Sequence, residues 1–443
     1  MIACGMAPDR KRILVAGVAA LGWDLARRTE GVGPLPWRRM ETVFPALTCP
    51  VQASFRTEAM PCFHGMEGNG FFDRRLLRPF FWEQSAALIY GRRIWHGARE
   101  RGGRVGMMFW QQSLGEAVDL VLSPRPVHRH HGGMLMDCLS RPSPLYAELV
   151  RALGRPFPLM RYWGPLASKE SSAWIVDATI EVMRRGDGAP DLLLTYVPHL
   201  DYDLQRFGPE SPRAARALRE VRELLGRLVE AAGACGYEVV MFGDYAMAPV
   251  TRPPAWPNRA LREAGLLATR RVHRHVYPDF FHSRAFAVAD HEVGFVYAGT
   301  PADAAEAAAC LRAAPGIGEV LDREGQRCAG VDDPDGADLV ILAEEGAWIA
   351  YPWWTDPGEA PDYAPHVDIH NKPGYDPCEL FFGFPPPRTS LDARKVRGTH
   401  GRAGPGRPVA WATTLDPAPE PPHVMALAKG VQDRLEALLC RDS

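Results

Sequence analysis

Acidic and imidazole side chains follow two apolar segments in the middle of the chain. His199, Asp201 and Asp203 come just after one of these segments, and Asp244 comes just after the next. Carboxylate oxygens and imidazole nitrogens bind zinc or manganese, and two such ions can clamp a phosphoryl group. Aspartates that follow strands also cap helices and turns. The residue types therefore predict either a divalent-metal site or ordinary caps.

A threonine with a possible chemical role lies nearer the N-terminus. Thr48 is in the segment Phe44–Ser54, just before small residues that could begin a helix. At the positive end of a helix, a nucleophilic alkoxide or a phosphate oxygen is stabilised by free N–H groups. The same hydroxyl could simply cap the helix. The neighbouring Cys49 is a second possible nucleophile, but no histidine has a context typical of cysteine hydrolases, and we expect a buried thiol.

Three histidines of the C-terminal third are further candidates. His366 and His370 flank Asp368 in a proline-rich segment without apolar periodicity, so we do not expect them in a hydrophobic core. His400 stands in a Gly-Thr-His-Gly sequence, where its side chain is free to approach a ligand. Each of them is a candidate ligand, with ordinary loop packing as the alternative.

A strand–helix–strand unit positions the first group of candidates. Leu192–Val197 is a continuous apolar run, typical of a strand buried on both faces. Ser211 and Pro212 then provide an N-cap and a proline at the first helical position. Glu238–Phe242 is a second buried run. This order predicts an α/β fold with a parallel sheet, beyond whose strand ends ligands bind.

Composition narrows the possible functions. The 443 residues are 46% hydrophobic, enough for a sizeable core, and the formal net charge of −2 without a basic block argues against nucleic acid as a partner. No apolar run reaches the roughly 18 residues that would span a membrane. The nine cysteines are scattered without a C-x-x-C pair, as is typical of a reducing compartment. Lys11-Arg12 before Ile13–Leu21 imitates a signal sequence, but no cleavage site follows. We therefore expect a buried strand and a cytoplasmic protein.

Several motifs together resemble a known family. Their order along the chain is Phe44–Ser54 (FPALTCPVQAS), Cys62–Gly65 (CFHG), Gly68–Gly70 (GNG), Tyr196–Pro209 (YVPHLDYDLQRFGP), Phe242–Tyr245 (FGDY) and Gly398–Gly401 (GTHG). From about Ile13 to about Arg402, the chain resembles the type I phosphodiesterase/nucleotide pyrophosphatase branch of the alkaline phosphatase superfamily. The segments around Thr48 and Asp201 carry the resemblance most specifically.

The resemblance implies a fold, a reaction and a set of ligands. The fold would be one domain over residues 1–443, a mostly parallel sheet with helices on both faces, with a possible small cap over 250–295. Thr48 would attack a phosphoryl centre of a small phosphoester and would bind one of two adjacent ions, zinc or manganese, with Asp244. Asp201 and His400 would bind the other ion.

The sequence departs from the family pattern at three ligand positions. Alanines, Ala19 and Ala20, stand where an aspartate is expected after the first strand, and Gln205 and Tyr245 stand where histidines are expected. Neutral glutamine and tyrosine bind metal poorly, so these exchanges predict a much weaker two-ion site.

Two hypotheses follow from these departures, and a third remains. In the first, other side chains replace the missing ligands around one or two ions and a phosphoester hydrolase remains; the candidates are His199, Asp203, His366 and His370. In the second, the cleft binds a phosphorylated molecule or a protein partner without hydrolysis. A sugar-phosphate mutase, which shares the superfamily fold, is also open. Asp290-His291 imitates a missing ligand pair, although the residues after it read as a strand.

Overall fold

Two β-sheets organise the part of the chain that the computed structural model describes, residues 11–131, 133–416, 418 and 420–440. Their strands are β1 Arg12–Val18, β2 Arg38–Met40, β3 Val105–Met108, β4 Leu120–Pro124, β5 Cys138–Arg141, β6 Leu192–Val197, β7 Tyr237–Gly243, β8 Ala285–Asp290, β9 Val293–Ala298, β10 Ile317–Leu321, β11 Leu339–Ala343 and β12 Val409–Thr413. Short two-stranded ribbons join Gly31–Val32 with Leu35–Pro36, Gly70–Asp73 with Arg78–Phe81, Val127–His128 with Met134–Leu135, Ala248–Pro249 with Gly398–Thr399, and Thr269–Val272 with His275–Pro278.

The larger sheet has the strand order β5-β4-β3-β6-β1-β7-β12-β2. Its five central strands, β4 to β7 in this order, are parallel, and the three outer strands are antiparallel to their neighbours. The predicted parallel sheet is therefore confirmed. Because β6 and β7 both pair with β1, the carboxyl ends of these three strands meet at one edge of the sheet.

Helices cover both faces of this sheet, as expected. The longer helices on this sheet are α1 Thr48–Thr57, α2 Leu145–Leu153, α3 Lys169–Met183, α4 His199–Phe207, α5 Pro212–Ala234 and α9 Val424–Cys440, whereas α6 Pro257–Glu263, α7 Pro301–Arg312 and α8 Arg323–Ala329 pack against the smaller sheet. Shorter helices are Trp23–Ala26, Pro61–His64 and His96–Glu100. Strand residues alternate between the two cores: Leu14 of β1 packs with α3 and α5, whereas Val15 packs with α1 and α9. Among the described residues, no helix combines the length and apolar character needed to cross a bilayer.

The smaller sheet is antiparallel, with the order β8-β9-β11-β10. It forms a third core with α6 and α7. The possible cap over 250–295 includes only α6, one ribbon, β8 and the start of β9, and the sheet continues to Ala343. The turn between β8 and β9 reaches the larger sheet's edge, where the backbone N–H of Glu292 donates to the carbonyl of His400.

Most of the elements read from the sequence are found within one or two residues of their expected ends. β6 spans Leu192–Val197 as predicted, and the buried strand expected after Lys11 is β1. Ser211 caps α5, since its hydroxyl accepts a hydrogen bond from the N–H of Ala214. The proline-rich segment 352–377 has irregular structure, as expected.

A buried lysine anchors this irregular segment beside the edge of the larger sheet. The Nζ atom of Lys372, whose side chain is 1% exposed, lies 2.8 Å from Asp376 Oδ2 and 2.7 Å from Glu379 Oε1. It also donates to the carbonyl of His366. Burial alone would lower the pKa of Lys372, but the two carboxylates override this effect and raise the pKa.

A buried carboxyl group anchors a second loop at the same edge. Glu67 Oε2 accepts a hydrogen bond from the N–H of Ala337, just before β11. Desolvation raises the pKa of Glu67 from 4.5 to about 8. The loop Gly68–Gly70 follows directly, so this carboxyl group helps to place it against the smaller sheet.

Loss of the lysine should destabilise the protein strongly. In Lys372→Met, Asp376 and Glu379 become buried charges without a partner, and we expect the free energy of unfolding to fall by about 3–5 kcal/mol. The control is Lys429→Met, which breaks an exposed pair of the same i,i+4 spacing with Asp433 and should cost at most about 1 kcal/mol. Urea unfolding measures both losses; equal losses would contradict the anchoring role.

The buried Glu67 should make stability depend on pH. Between pH 4.5 and pH 8 the folded chain binds more protons at Glu67 than the unfolded chain does. The stability contribution is fully present below the unfolded value and is lost as the pH rises through about 8. Denaturant unfolding over this interval should show a flatter pH dependence for Glu67→Gln than for the wild type. Glu100→Gln, at a side chain 63% exposed, should keep the wild-type slope; a wild-type slope for Glu67→Gln would refute the prediction.

Candidate active site

Asp244 is fixed where β1 and β7 end side by side. Gly243 allows the close approach, because a Cβ atom there would lie 2.2 Å from the carbonyl oxygen of Leu21. The Oδ1 atom of Asp244 accepts hydrogen bonds from the N–H groups of Ala20, at 3.1 Å, and Tyr245, at 2.9 Å. One carboxylate oxygen therefore holds the turn, and Oδ2 faces the candidate site.

Thr48 begins helix α1 opposite this carboxylate. The N-cap position belongs to Leu47, and the N–H of Cys49 is satisfied at 3.0 Å by Asn69 Oδ1, so Thr48 does not cap the helix. Its Oγ1 atom lies 3.4 Å from Asp244 Oδ2 and 3.3 Å from the hydroxyl of Tyr196. The Tyr196 hydroxyl in turn donates to Asp244 Oδ2 at 2.8 Å.

Asp201, in the first turn of α4, is held by side chains on both of its oxygens. The Tyr245 hydroxyl donates to Oδ1 at 3.0 Å, and Gln205 Nε2 donates to Oδ2 at 2.5 Å. The hydroxyl of Tyr375 donates to Gln205 Oε1 at 2.7 Å, which fixes the orientation of that amide. Asp201 therefore does not serve as a helix cap, and its hydrogen bonds come from neutral donors.

His400 lies in a stack of four buried rings, which we call the ring stack: Tyr245, His400, His291 and Tyr375. The successive ring centroids are 3.4, 3.7 and 3.7 Å apart, and the first pair is inclined by only 3°. Nδ1 of His400 lies 2.9 Å from the carbonyl oxygen of Ala46, so this nitrogen carries the proton.

A third carboxylate supports the start of α1 from the smaller sheet. Asp290, the last residue of β8, accepts hydrogen bonds from the backbone N–H of Asn69 at 2.8 Å and from its side-chain amide at 3.1 Å. The next residue, His291, has a positive φ of 61° and places its Nδ1 atom 2.8 Å from Asp290 Oδ1. The Asp290-His291 pair therefore reaches the site, through Asn69 and through the ring stack.

Burial controls the electrostatics of the cluster. Desolvation raises the pKa of Asp201 to about 6, that of Asp290 to about 7 and that of Asp244 to about 8. It lowers the pKa of His291 and His400 well below the usual range, so both imidazoles are neutral. Within the described chain, no lysine or arginine forms an ion pair with any of the three carboxylates.

The proposed replacement ligands lie elsewhere. His199 Nε2 is 2.8 Å from Glu220 Oε2 of α5, and Asp203 pairs with Arg206 at 3.5 Å. His370 Nδ1 forms a hydrogen bond with the carbonyl oxygen of Phe81. The backbone carbonyl oxygen of His366 accepts a hydrogen bond from Lys372 Nζ. Thr48 contacts Asp244, and the next residue, Tyr245, contacts both Asp201 and His400. The four other candidates make their polar contacts with other partners. Cys49 is a buried thiol, and desolvation raises its pKa to about 12.

The residues present do not fit the pair of zinc or manganese ions that the resemblance implied. Across the described ranges, no three His, Cys, Asp or Glu side chains are grouped as the ligands of an ion. The Ala19-Ala20 backbone provides no carboxylate, and Gln205 and Tyr245 direct hydrogen-bond donors at Asp201. Both oxygens of Asp201 are thus already engaged within the chain, and the expected ligand set is not assembled.

Several members of the cluster were not singled out from the sequence. Tyr196 begins one of the motifs and Tyr375 lies in the proline-rich segment, but nothing in their spacing distinguishes a site tyrosine from a core tyrosine. Asn69 stands between two glycines, which was the available signal for a loop that approaches another backbone closely. His291 was noted only as part of an imitated ligand pair.

Comparison with known proteins agrees with the fold. Phosphonoacetate hydrolase from Sinorhizobium meliloti 1021, solved with phosphonoformate, is 16% identical with a TM-score of 0.60, and the alignment covers 96% of each chain. Murine ectonucleotide pyrophosphatase/phosphodiesterase 5 is 16% identical with a TM-score of 0.56, over 96% of this chain and 95% of that one. The human form is 14% identical with the same score and coverage. A search of curated protein sequences finds no match.

The sequence also matches a family as a whole. A sequence model described as type I phosphodiesterase / nucleotide pyrophosphatase matches residues 36–376, more than half of the chain. The matched range includes Thr48, Asp201 and Asp244. The chain therefore belongs to the type I phosphodiesterase/nucleotide pyrophosphatase family of phosphoester hydrolases.

Proposed function

We propose that this chain is a phosphoester hydrolase in which the Thr48 hydroxyl attacks phosphorus. The observation that carries the proposal is the position of Thr48 Oγ1 at the start of α1, 3.4 Å from Asp244 Oδ2. A hydroxyl nucleophile needs a group that accepts its proton, and a carboxylate oxygen within reach meets this need. Family membership supports the same reaction class.

The chemistry assigned to the chain's own residues is a two-step displacement. Thr48 Oγ1 forms a bond to phosphorus as its proton passes to Asp244 Oδ2. The bond from phosphorus to the leaving oxygen breaks, and that oxygen keeps the electron pair and takes a proton from solvent. A water oxygen then bonds to phosphorus and releases its proton to solvent, the bond from phosphorus to Thr48 Oγ1 breaks, and Asp244 returns the proton to the threonine. Tyr196 holds Asp244 Oδ2 in place, and the N-terminal dipole of α1 favours negative charge beside Thr48. The zinc or manganese ions that the resemblance implies would supply Lewis acidity when bound. No step is assigned to an ion, because the residues present do not fit one.

The substrate class is a small phosphoester, whose P–O bond the displacement breaks. An inactive murine protein of similar fold was solved with AMP, a small phosphoester, which supports this choice. Thr48 is 4% exposed, so a substrate reaches it only when covering side chains move. The scattered thiols of the sequence support a reducing, cytoplasmic location.

A second candidate function is binding without hydrolysis. It is favoured by a specific observation: three buried carboxylates face the site region, and no lysine or arginine of the described chain pairs with them. A phosphoryl group brought next to these carboxylates would be repelled wherever they are ionised, and its charge in the transition state would lack a cation. In this reading, the fold serves a ligand or partner, and Thr48 has no chemical role.

Substitution of Thr48 separates the two candidates. With bis-aryl phosphate and aryl monophosphate as substrates, Thr48→Ala should reduce turnover to the background rate, because the attacking oxygen is lost. Thr48→Ser keeps that oxygen and should retain activity. The measurement is initial rate with purified protein, in the presence of Mn²⁺ or Zn²⁺ and of a chelator. Turnover that survives in Thr48→Ala, or none in the wild type, would reject the hydrolytic proposal.

The proton acceptor has its own test. Asp244→Asn keeps the size of the side chain but cannot take the proton of Thr48, so we expect kcat to fall by about 10²–10⁴-fold. Asp203→Asn, on an aspartate that pairs with Arg206 outside the cluster, is the control and should leave kcat unchanged. Thermal unfolding of both variants shows whether a lost rate reflects lost folding. Equal rates in the two folded variants would exclude Asp244 as the acceptor.

A further inference from the structure

We infer that the chain's own side chains replace the ion between Asp201 and His400, so that this half of the site works without a metal. The inference does not depend on turnover by Thr48. Its starting point is that each oxygen of Asp201 accepts a hydrogen bond from a neutral side chain, from Tyr245 at 3.0 Å and from Gln205 at 2.5 Å. A carboxylate that binds a metal must direct an oxygen lone pair at the ion instead.

The two donors stand at the positions where the family pattern has histidines. A histidine presents a nitrogen lone pair to an ion, whereas the tyrosine hydroxyl and the amide NH₂ group present hydrogens to Asp201. The exchange therefore reverses the polarity of the group that faces the carboxylate. Each of the two oxygens of Asp201 therefore has a hydrogen-bond donor, and no ion is needed to satisfy them.

Tyr375 fixes the side-chain amide of Gln205 in the orientation in which its NH₂ group faces Asp201. The hydroxyl of Tyr375 donates to Gln205 Oε1 at 2.7 Å, so the Nε2 atom must face Asp201. Tyr375 belongs to the segment that Lys372 anchors through Asp376 and Glu379. The replacement thus has structural support beyond the two substituted positions.

The ring stack fills the remaining space. Tyr245 covers one face of His400 at 3.4 Å, His291 covers the other side at 3.7 Å, and Tyr375 covers His291 at 3.7 Å. All four rings are buried. Aromatic packing of this kind stabilises a closed interior, whereas an ion site with a catalytic role keeps a coordination position open.

The first experiment measures bound metal in the wild-type chain. Protein expressed with added Zn²⁺ and Mn²⁺ and then desalted is analysed by inductively coupled plasma mass spectrometry, beside Asp201→Asn. We expect only substoichiometric metal in both proteins, and a melting temperature that a chelator does not change. Stoichiometric metal in the wild type that is lost in Asp201→Asn would overturn the inference. Equal amounts of metal in the wild type and in Asp201→Asn would mean that the metal binds away from Asp201, as the inference expects.

The second experiment restores the imidazoles. The double variant Gln205→His/Tyr245→His places lone pairs beside Asp201 and opens one face of His400, so Zn²⁺ should bind stoichiometrically and raise the melting temperature by several degrees. Adding Asp201→Asn to the double variant should abolish the gain. The matched control, Tyr245→Phe, keeps the ring and removes only the hydroxyl; it should lower the melting temperature and gain no metal.

The outcomes separate this inference from the proposed hydrolysis. A folded double variant that gains no metal would show that Gln205 and Tyr245 are not what replaces the ion. If the double variant does not fold, the metal content of the wild type and the Tyr245→Phe stability decide the matter. Thr48-dependent turnover in a metal-free wild type would support both proposals, and no turnover either with or without added metal would reject hydrolysis alone.

Discussion

The site depends on three carboxylates that are buried at one edge of the sheet and that form no ion pair with a lysine or arginine of the described residues. A carboxylate removed from water is costly unless its oxygens are hydrogen-bonded or it is neutralised. Asp244 is satisfied by backbone N–H groups and Tyr196, Asp201 by Tyr245 and Gln205, and Asp290 by Asn69. The positions of the surrounding tyrosines, amides and rings follow from this need for donors. An ion would meet the same need in another way, and this chain meets it with side chains.

The sequence was sufficient to predict the large-scale arrangement because buried parallel strands have a strong local signal. The apolar runs before His199 and Asp244 identified β6 and β7, and the rule for parallel sheets then placed their following loops at a common edge. The convergence of Thr48 and His400 with them came from the family resemblance, since hundreds of residues separate these side chains. Of the smaller antiparallel sheet, the sequence indicated the strand after Asp290-His291, and local sequence does not specify which strands pair.

The fine structure of the site could not be predicted because it depends on orientation. Gln205 and Tyr245 were recognised as poor ligands, but whether a glutamine offers its oxygen or its NH₂ group is decided by Tyr375, 170 positions away. The same holds for His199, which lies only two residues from Asp201. On a helix, that spacing points the two side chains in different directions, and His199 contacts Glu220 instead.

The link from Asp290 through Asn69 to the N–H of Cys49 has a consequence for how the molecule assembles. No side chain within α1 caps its first turn. The N–H of Cys49 donates instead to the side chain of Asn69, which is held by Asp290 of the smaller sheet. The hydrogen bond to the Cys49 amide is therefore supported by the contact between the two sheets. Deuterium exchange at the Cys49 amide would consequently report the docking of the two sheets, although the amide itself belongs to neither of them.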